Sequence, residues 1–335
     1  MEYRQLGRTG LTVSRLGFGG IPIQRIDAEG TKALMHVLKN AGINYIDTAR
    51  GYTVSEEYLG YGLEGIREHF VLATKSMSRD KESMARDINT SCANLRTDYI
   101  DLYQIHNPSP DQLEQVIAPG GALEALQEAK EAGRIGHIGI TAHAIEVFEK
   151  ALELDWVETI MFPYNIVETQ GEKLIRKCGE KGIGFIDMKP LAGGAIEDAS
   201  LAIRYVCANP DVTVTIPGMA EKKELAQNIA AAANTAALTE EELAAVEAVR
   251  CQLGTQFCRR CNYCQPCTAG INISGAFLFE GYFSRYGLAD WARERYEAMG
   301  KVASDCIGCG VCESRCPYNL PIRQMLKDVA AKFGK

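Results

Sequence analysis

The sequence predicts an α/β fold: a closed (β/α)8 barrel followed by a small, mainly helical, cysteine-rich domain. Three observations predict it. Short apolar runs alternate with longer amphipathic stretches over about residues 15–218, the pattern of a parallel sheet wrapped in helices. The runs number eight in about 200 residues, which is the count of a closed barrel. Cysteine usage then jumps, with eight of the twelve cysteines falling between 258 and 316.

The elements follow in order. "YRQLGRTGLTVS" opens the chain and reads as a hairpin that plugs the bottom of the barrel. The eight runs are "RLGFGG" (15–20), "NYIDT" (44–48), "FVLATK" (70–75), "YIDLYQIH" (99–106), "IGHIGIT" (135–141), "ETIMFPYN" (158–165), "GIGFIDMKP" (182–190) and "VTVTIPG" (212–218). Helix-like segments lie between them, such as 31–40, 83–95, 113–132 and 173–181. In "LEALQEAKEAG" apolar residues recur three to four apart and Gly133 stops the run. An open doubly wound sheet is the rival. It would want a G-x-G-x-x-G turn after an early strand, and "GFGGIP" (17–22) lacks that spacing. A last helix, 240–253, carries Leu243, Val246 and Val249 at helical spacing. The domain boundary is expected near Gly254, giving a barrel over 1–253 and a cysteine domain over 254–335.

Composition narrows the function classes. A chain of 335 residues that is 46% hydrophobic can bury one large core and a small one. Charged residues at 24% suggest neither disorder nor a nucleic-acid tail, and a net charge of −7 argues mildly against nonspecific DNA binding. No stretch of 18 apolar residues exists, so no membrane-spanning helix is expected. "MEYRQLGRTG" has no apolar core, so it is not a signal peptide, and a cytoplasmic protein without disulfides is expected. Charge is uneven. From residue 254 onward 11 basic residues face 7 acidic ones, a balance of +4, while the first 253 residues carry −11. Two thiolate-ligated cubane clusters at about −2 each would neutralise that excess.

Four polar residues fall at or just beyond the C-terminal ends of successive predicted strands. Asp47 ends the second run, with Tyr52 five residues on in the same loop. Lys75 ends the third and His106 the fourth. Barrel enzymes keep their chemistry at that rim, so an Asp, a Tyr, a Lys and a His converging there make an acid–base site. Any one of them alone has a plain structural reading, such as a strand-end Asp that caps the next helix.

"DTARGY", "ATK" and "IHNP" at this spacing resemble the aldo/keto reductases, a (β/α)8 (TIM barrel) family that uses a nicotinamide cofactor. The resemblance covers about residues 1–250 and all four positions match. It implies that Tyr52 protonates a carbonyl oxygen as hydride reaches the carbon. A free phenol titrates near 10, and a neighbouring Lys75 ammonium would make it a stronger acid. Asp47 would hold Lys75 in place, and His106 would hydrogen-bond the substrate oxygen. The implied cofactor contacts are Thr141, Asn165, Met188, Pro190, Leu191, Gly193, Gly194, Ile216, Pro217, Gly218 and Asn228. "TIPGM" (215–219) looks like the pyrophosphate loop, and "PLAGG" (190–194) like the loop that straps the dinucleotide.

The sequence departs from the family in two places. Gly218 and Glu224 stand where NADPH-using relatives have a Lys and an Arg, with Lys222 and Lys223 close by. A carboxylate there repels a 2′-phosphate and suits a bare ribose, so NADH and NADPH are both open. Met188 stands where many relatives stack an aromatic ring on the nicotinamide.

"DCIGCGVCESRCP" (305–317) has the spacing C-x2-C-x2-C-x3-C-P, which wraps a cubane iron–sulfur cluster. Upstream, "FCRRCNYCQPCTAG" spaces Cys258, Cys261, Cys264 and Cys267 by two residues each. Three cysteines so close are awkward for tetrahedral zinc, which pairs two distant C-x2-C units. Eight cysteines are the number two [4Fe–4S] clusters need. The tail resembles a two-cluster bacterial ferredoxin domain, in which ligation crosses over. By that resemblance Cys306, Cys309 and Cys312 share a cluster with Cys267, and Cys258, Cys261 and Cys264 share the other with Cys316. Thr268 stands where the family has proline, and Cys251 is an alternative ligand. Between the motifs the chain reads as helical, with Phe277, Phe279, Phe283 and Trp291 packing around the clusters or onto the barrel. Cys92, Cys178 and Cys207 read as small buried hydrophobes.

The leading functional expectation is an oxidoreductase that interconverts a carbonyl and an alcohol by hydride transfer from NADH or NADPH. Its substrate is a small carbonyl or alcohol compound, set in part by the loop 106–121. The clusters are either structural or an electron relay to a redox partner protein. Nicotinamide gives two electrons together and a cubane takes one, so a relay needs a flavin, for which no residue speaks. The reading from a different class is a non-enzymatic subunit that binds nicotinamide and senses redox state.

Overall fold

The computed structural model describes residues 1–335. A two-stranded hairpin, β1 (Tyr3–Gln5) with β2 (Thr12–Ser14), precedes eight strands. These are β3 (Phe18–Gly19), β4 (Tyr45–Asp47), β5 (Val71–Ser76), β6 (Ile100–His106), β7 (Ile135–Thr141), β8 (Thr159–Pro163), β9 (Gly184–Met188) and β10 (Val214–Ile216). Each pairs in parallel with the next in sequence. Parallel bridges from Leu16 to Thr215 and from Gly19 to Gly218 join the first strand to the last and close the barrel. All eight expected strands form.

Nine helices wrap the sheet: α1 (Ala28–Asn40), α2 (Ser55–Gly62), α3 (Lys81–Asn94), α4 (Pro110–Ile117), α5 (Ala122–Glu131), α6 (Ile145–Ala151), α7 (Glu172–Glu180), α8 (Ala199–Ala208) and α9 (Lys222–Ala233). Their starts are chemically marked. Asp27 accepts from the Gly30 amide and Asp80 from the Ser83 amide, which satisfies donors at each first turn. The single helix expected over 113–132 is two helices. Pro119 pushes Ala118 into extended backbone, and Gly120 adopts φ +78°. The chain breaks there and restarts at Ala122. Half of the loop expected over 106–121 is correspondingly α4, opened by a reciprocal Ser109–Gln112 capping box.

β5 is buried along its whole length, as a strand covered on both faces must be. Inside the barrel Tyr45, Ala73, Leu102, Met161, Ile186 and Val214 form a core that includes Leu6 and Val13 of the hairpin. The hairpin presses close: a Cβ on Gly7 would stand 2.2 Å from the Gly184 nitrogen, so only glycine fits there. Outside, helix faces meet the strands over a second core. In it Phe148 stacks on Phe185 with centroids 5.9 Å apart, and truncating either ring to alanine would cost about 3–5 kcal/mol.

The chain divides into two compact units. One is 1–191 with 198–238; the other is 192–197 with 239–335. The second unit thus takes in the helix α10 (Glu240–Leu253), which was expected on the barrel side of a boundary at 254, and a short piece of the loop after β9. Thr239 and Glu242 cap α10 reciprocally. Four more helices follow, α11 (Ile273–Ser284), α12 (Ala289–Glu297), α13 (Val311–Arg315) and α14 (Ile322–Phe333), and no strand. Their core packs Ile271, Phe277, Tyr296, Leu326 and Phe333 around Cys264 and Cys312. Tyr296 stacks on Phe333 with centroids 4.0 Å apart. Trp291 lies edge-on to Phe279 and Tyr282, and Phe283 tilts against Phe333. No helix is long and apolar enough to cross a membrane.

Candidate active site and cysteine cavities

The four rim residues converge. Lys75, 2% exposed, ion-pairs with Asp47 and donates to the Thr48 carbonyl at 2.8 Å. The other Asp47 oxygen accepts from Gln104 at 3.1 Å. The Lys75 ammonium lies 4.9 Å from the centre of the Tyr52 ring. The His106 ring stands edge-on to that ring, centroids 6.1 Å apart. Asp47 therefore does not cap a helix; it is the counter-ion of Lys75.

The electrostatics follow from burial. Loss of solvent holds the Lys75 ammonium below its ordinary value and the Asp47 carboxyl above its own, and each partner opposes the other's shift. Burial, then the charges of Lys75, Arg79 and Lys189, hold His106 well below the usual imidazole range. His106 is thus a neutral imidazole at physiological pH, a hydrogen-bonding group rather than a cation. The side of β5 away from the barrel's interior is braced as well. Glu56, 1% exposed, accepts from Thr74 at 2.7 Å and Ser91 at 2.8 Å and pairs with Arg50. Thr74 and Ser76 flank Lys75, and Ser76 is tied to Asp87. These partners were missed in the sequence, as were Gln104 and Arg79. Arg79 donates to the His106 carbonyl at 2.8 Å.

The expected cofactor residues fall into four groups. Asn228, on α9, is buried, and its Oδ1 has no hydrogen-bond partner. A buried acceptor left open could take a hydrogen bond from a ligand donor. Ile216, Pro217 and Gly218 lead from β10 toward that helix; a Cβ on Gly218 would meet Pro22 at 2.7 Å. Met188 is half-buried at the end of β9 and packs against the barrel's inner core, with Pro190 buried and Leu191 half-buried beyond it. Asn165 and Thr141 are enclosed and already engaged. Asn165 donates to Glu168 and to the Lys189 carbonyl and accepts from the Val167 and Glu168 amides. Thr141 Oγ1 accepts from the Asn107 amide. Glu224 accepts from the Ala220 amide at 2.8 Å and the Glu221 amide at 3.0 Å, so the N-terminus of α9 already carries a carboxylate.

Gly193 and Gly194 belong to the second unit. Both adopt positive φ, +66° and +80°. Arg285 donates to the Gly193 carbonyl at 3.0 Å, and a Cβ on Gly193 would stand 3.3 Å from the Tyr286 hydroxyl.

Within the second unit the eight cysteines sort into two sets. Cys258, Cys261, Cys264 and Cys316 line one cavity, together with Phe277 and Tyr318. Cys267, Cys306, Cys309 and Cys312 line another, with Thr268 and Leu326. No three His, Cys, Asp or Glu side chains converge as ligands of one metal ion would. Four thiols ringing a cavity fit a cubane, whose irons sit at separate corners. Thr268, in place of the family proline, has its hydroxyl 3.6 Å from Cys309 Sγ. Cys251 is exposed on α10 and lines neither cavity. Cys178 is buried and Cys207 half-buried, and burial pushes both thiols up to about 12.

Comparison with known proteins agrees with both halves. The 4Fe-4S dicluster domain family matches residues 257–321. L-galactose dehydrogenase of Arabidopsis thaliana is 26% identical over 302 residues, covering 74% of this chain and 94% of that protein. An aldo-keto reductase of Bacillus subtilis is 31% identical over 194 residues, covering 52% of this chain and 57% of its own. Among solved structures, an aldo-keto reductase from Bacillus halodurans in its holo form superposes with a TM-score of 0.65 at 26% identity, over 74% of this chain and 96% of that one. The aldo/keto reductase family matches residues 15–201, more than half of the sequence, and the chain belongs to that family.

Proposed function

We infer that the barrel is an NAD(P)H-dependent oxidoreductase that interconverts a carbonyl and an alcohol, with Tyr52 as the acid of reduction and the base of oxidation. The observation that carries the reading is the buried Asp47–Lys75 pair, with its ammonium 4.9 Å from the Tyr52 ring. Bound nicotinamide supplies the hydride. Tyr52 gives its proton to the carbonyl oxygen, and the Lys75 ammonium stabilises the phenolate left behind. Asp47 and the Thr48 carbonyl fix that ammonium in place. Neutral His106 can donate a hydrogen bond to the same oxygen and orient it without competing for its proton. Asn165 acts indirectly by holding Lys189, and Thr141 by holding Asn107.

Asn228, Gly218 and the segment 216–217 would receive the dinucleotide. The Glu224 carboxylate, which accepts from the Ala220 and Glu221 amides just ahead of α9, resists a 2′-phosphate, so NADH is the preferred cofactor. In the second unit Cys258, Cys261, Cys264 and Cys316 would hold one [4Fe–4S] cluster, and Cys267, Cys306, Cys309 and Cys312 the other. Bound clusters supply cross-links between chain segments and one-electron transfer. The structural role is favoured, because Cys264 and Cys312 belong to the hydrophobic core itself.

The test is anaerobic carbonyl reduction by NADH with Tyr52→Phe. A loss of about 10³-fold or more in kcat is expected; retained activity refutes the assignment. Turnover driven by a one-electron donor without nicotinamide would establish a relay, to a redox partner protein or within the chain.

A further inference from the structure

A cation without a counter-ion stands beside the four rim residues. Arg79 lies on the loop after β5, two residues beyond Met77. Met77 is exposed, and its terminal methyl lies 3.2 Å from where a Gly51 Cβ would stand, next to Tyr52. The Arg79 backbone is pinned, since its carbonyl accepts from the Ala122 amide at 2.9 Å. Its guanidinium reaches only neutral acceptors: the His106 carbonyl at 2.8 Å, the Ser78 carbonyl at 3.4 Å and Gln112 Oε1 at 3.5 Å. Its Nε is enclosed without a partner. The adjacent carboxylate, Asp80, is turned to the Ser83 amide instead. Burial brings Arg79 down to about 10, and no acidic group acts against that. The charges felt at His106 are those of Lys75, Arg79 and Lys189, all positive, and Lys75 is neutralised there by Asp47.

A half-buried guanidinium is ordinarily matched by a carboxylate or phosphate, which its planar fork binds through two hydrogen bonds. Here the protein provides none. Resting on the carbonyl-reductase reading, we propose that Arg79 is a specificity-determining residue that binds an anionic group on the carbonyl substrate. The substrate class is then oxo-acids and phosphorylated carbonyl compounds. The contact lies away from the reacting carbon, so it is made equally in the ground and transition states and acts through KM.

The experiment uses the holoenzyme, NADH and matched substrate pairs: 4-carboxybenzaldehyde against its methyl ester, and glyceraldehyde 3-phosphate against glyceraldehyde. The anionic member of at least one pair is expected to have a kcat/KM higher by about 10- to 100-fold, mainly through KM. The pair with the larger ratio tells carboxylate from phosphate. In Arg79→Met that ratio collapses toward one; in Arg79→Lys it is partly kept. Equal kcat/KM for both members of both pairs in the parent enzyme overturns the proposal and leaves the carbonyl-reductase reading standing. Reduction of no member with either nicotinamide overturns the carbonyl-reductase reading itself. A matching loss of NADH affinity in Arg79→Met would assign the cation to cofactor phosphates and overturn the proposal. If Arg79→Met does not fold, the parent ratio is followed with ionic strength. It is expected to fall as salt rises, and a salt-independent ratio overturns the proposal.

Discussion

Asp47 and Lys75 are each other's partners in the barrel, and Gln104, Thr48 and the Glu56 network complete the arrangement from the protein alone. In the second unit the cysteines are arranged otherwise: they face two cavities, and the hydrophobic core is built through them. The difference teaches where each region gets its order. The barrel site is preorganised by folding, so a ligand meets it ready-made. If the cysteine unit is organised about clusters, as proposed, folding and loading there would be one event.

The largest effect tests that dependence. Under crossed ligation, the double variant Cys258→Ala/Cys316→Ala loses one cluster and keeps about four irons per chain, while Cys258→Ala/Cys267→Ala loses both. Iron and sulfide counts with far-ultraviolet dichroism check it. Equal iron in the two variants would break the pairing, and unchanged helix content after full loss would break the contrast with the barrel. Next in size is Asp47→Asn, which leaves a buried ammonium without its counter-ion. A loss of about 3–5 kcal/mol in unfolding free energy is expected, together with a fall in kcat.

A smaller effect is expected at Glu158, whose carboxylate pairs with His137 and Lys130 and accepts from the Ile138 amide. Burial works against the charge, but these partners hold it at about 2, below the ordinary 4.5. The native state therefore binds this proton less readily than the unfolded chain. The stabilisation is present above about pH 4.5 and lost as pH falls toward 2. It amounts to roughly 1–3 kcal/mol. Glu158→Gln should flatten the denaturation midpoint over that window. The smallest effect is an absence: with its proton affinity depressed, His106 should add no inflection to the kcat profile between pH 6 and 8. An inflection there that vanishes in His106→Gln would show that the imidazole titrates.

Much of this was legible. The eight strands follow from apolar runs, because a strand covered on both faces has little choice of composition. The four rim residues stand at strand ends, where topology converts sequence order into proximity. The cysteine sets were legible from spacing once the crossed pattern was invoked. What was not legible depended on side-chain direction across strands. Gln104 is one apolar-run residue among many until β6 turns it toward Asp47. Arg79 looks like a surface charge in "SMSRD" until the loop folds it over the His106 carbonyl. The break between α4 and α5 was within reach, since "APGG" carries both a proline and glycines. The amphipathic period on either side masked it.

Residues 192–197 belong with the cysteine unit although they leave β9 of the barrel, and Arg285 holds the Gly193 carbonyl. The polypeptide therefore visits the small unit twice. Neither unit is one uninterrupted stretch of sequence, so the iron–sulfur half is not a detachable module. Cutting the chain at 254 would remove Arg285 and leave Gly193 and Gly194 without their anchor. Domain swapping or gene fusion with this barrel would have to carry the loop and the helix α11 together.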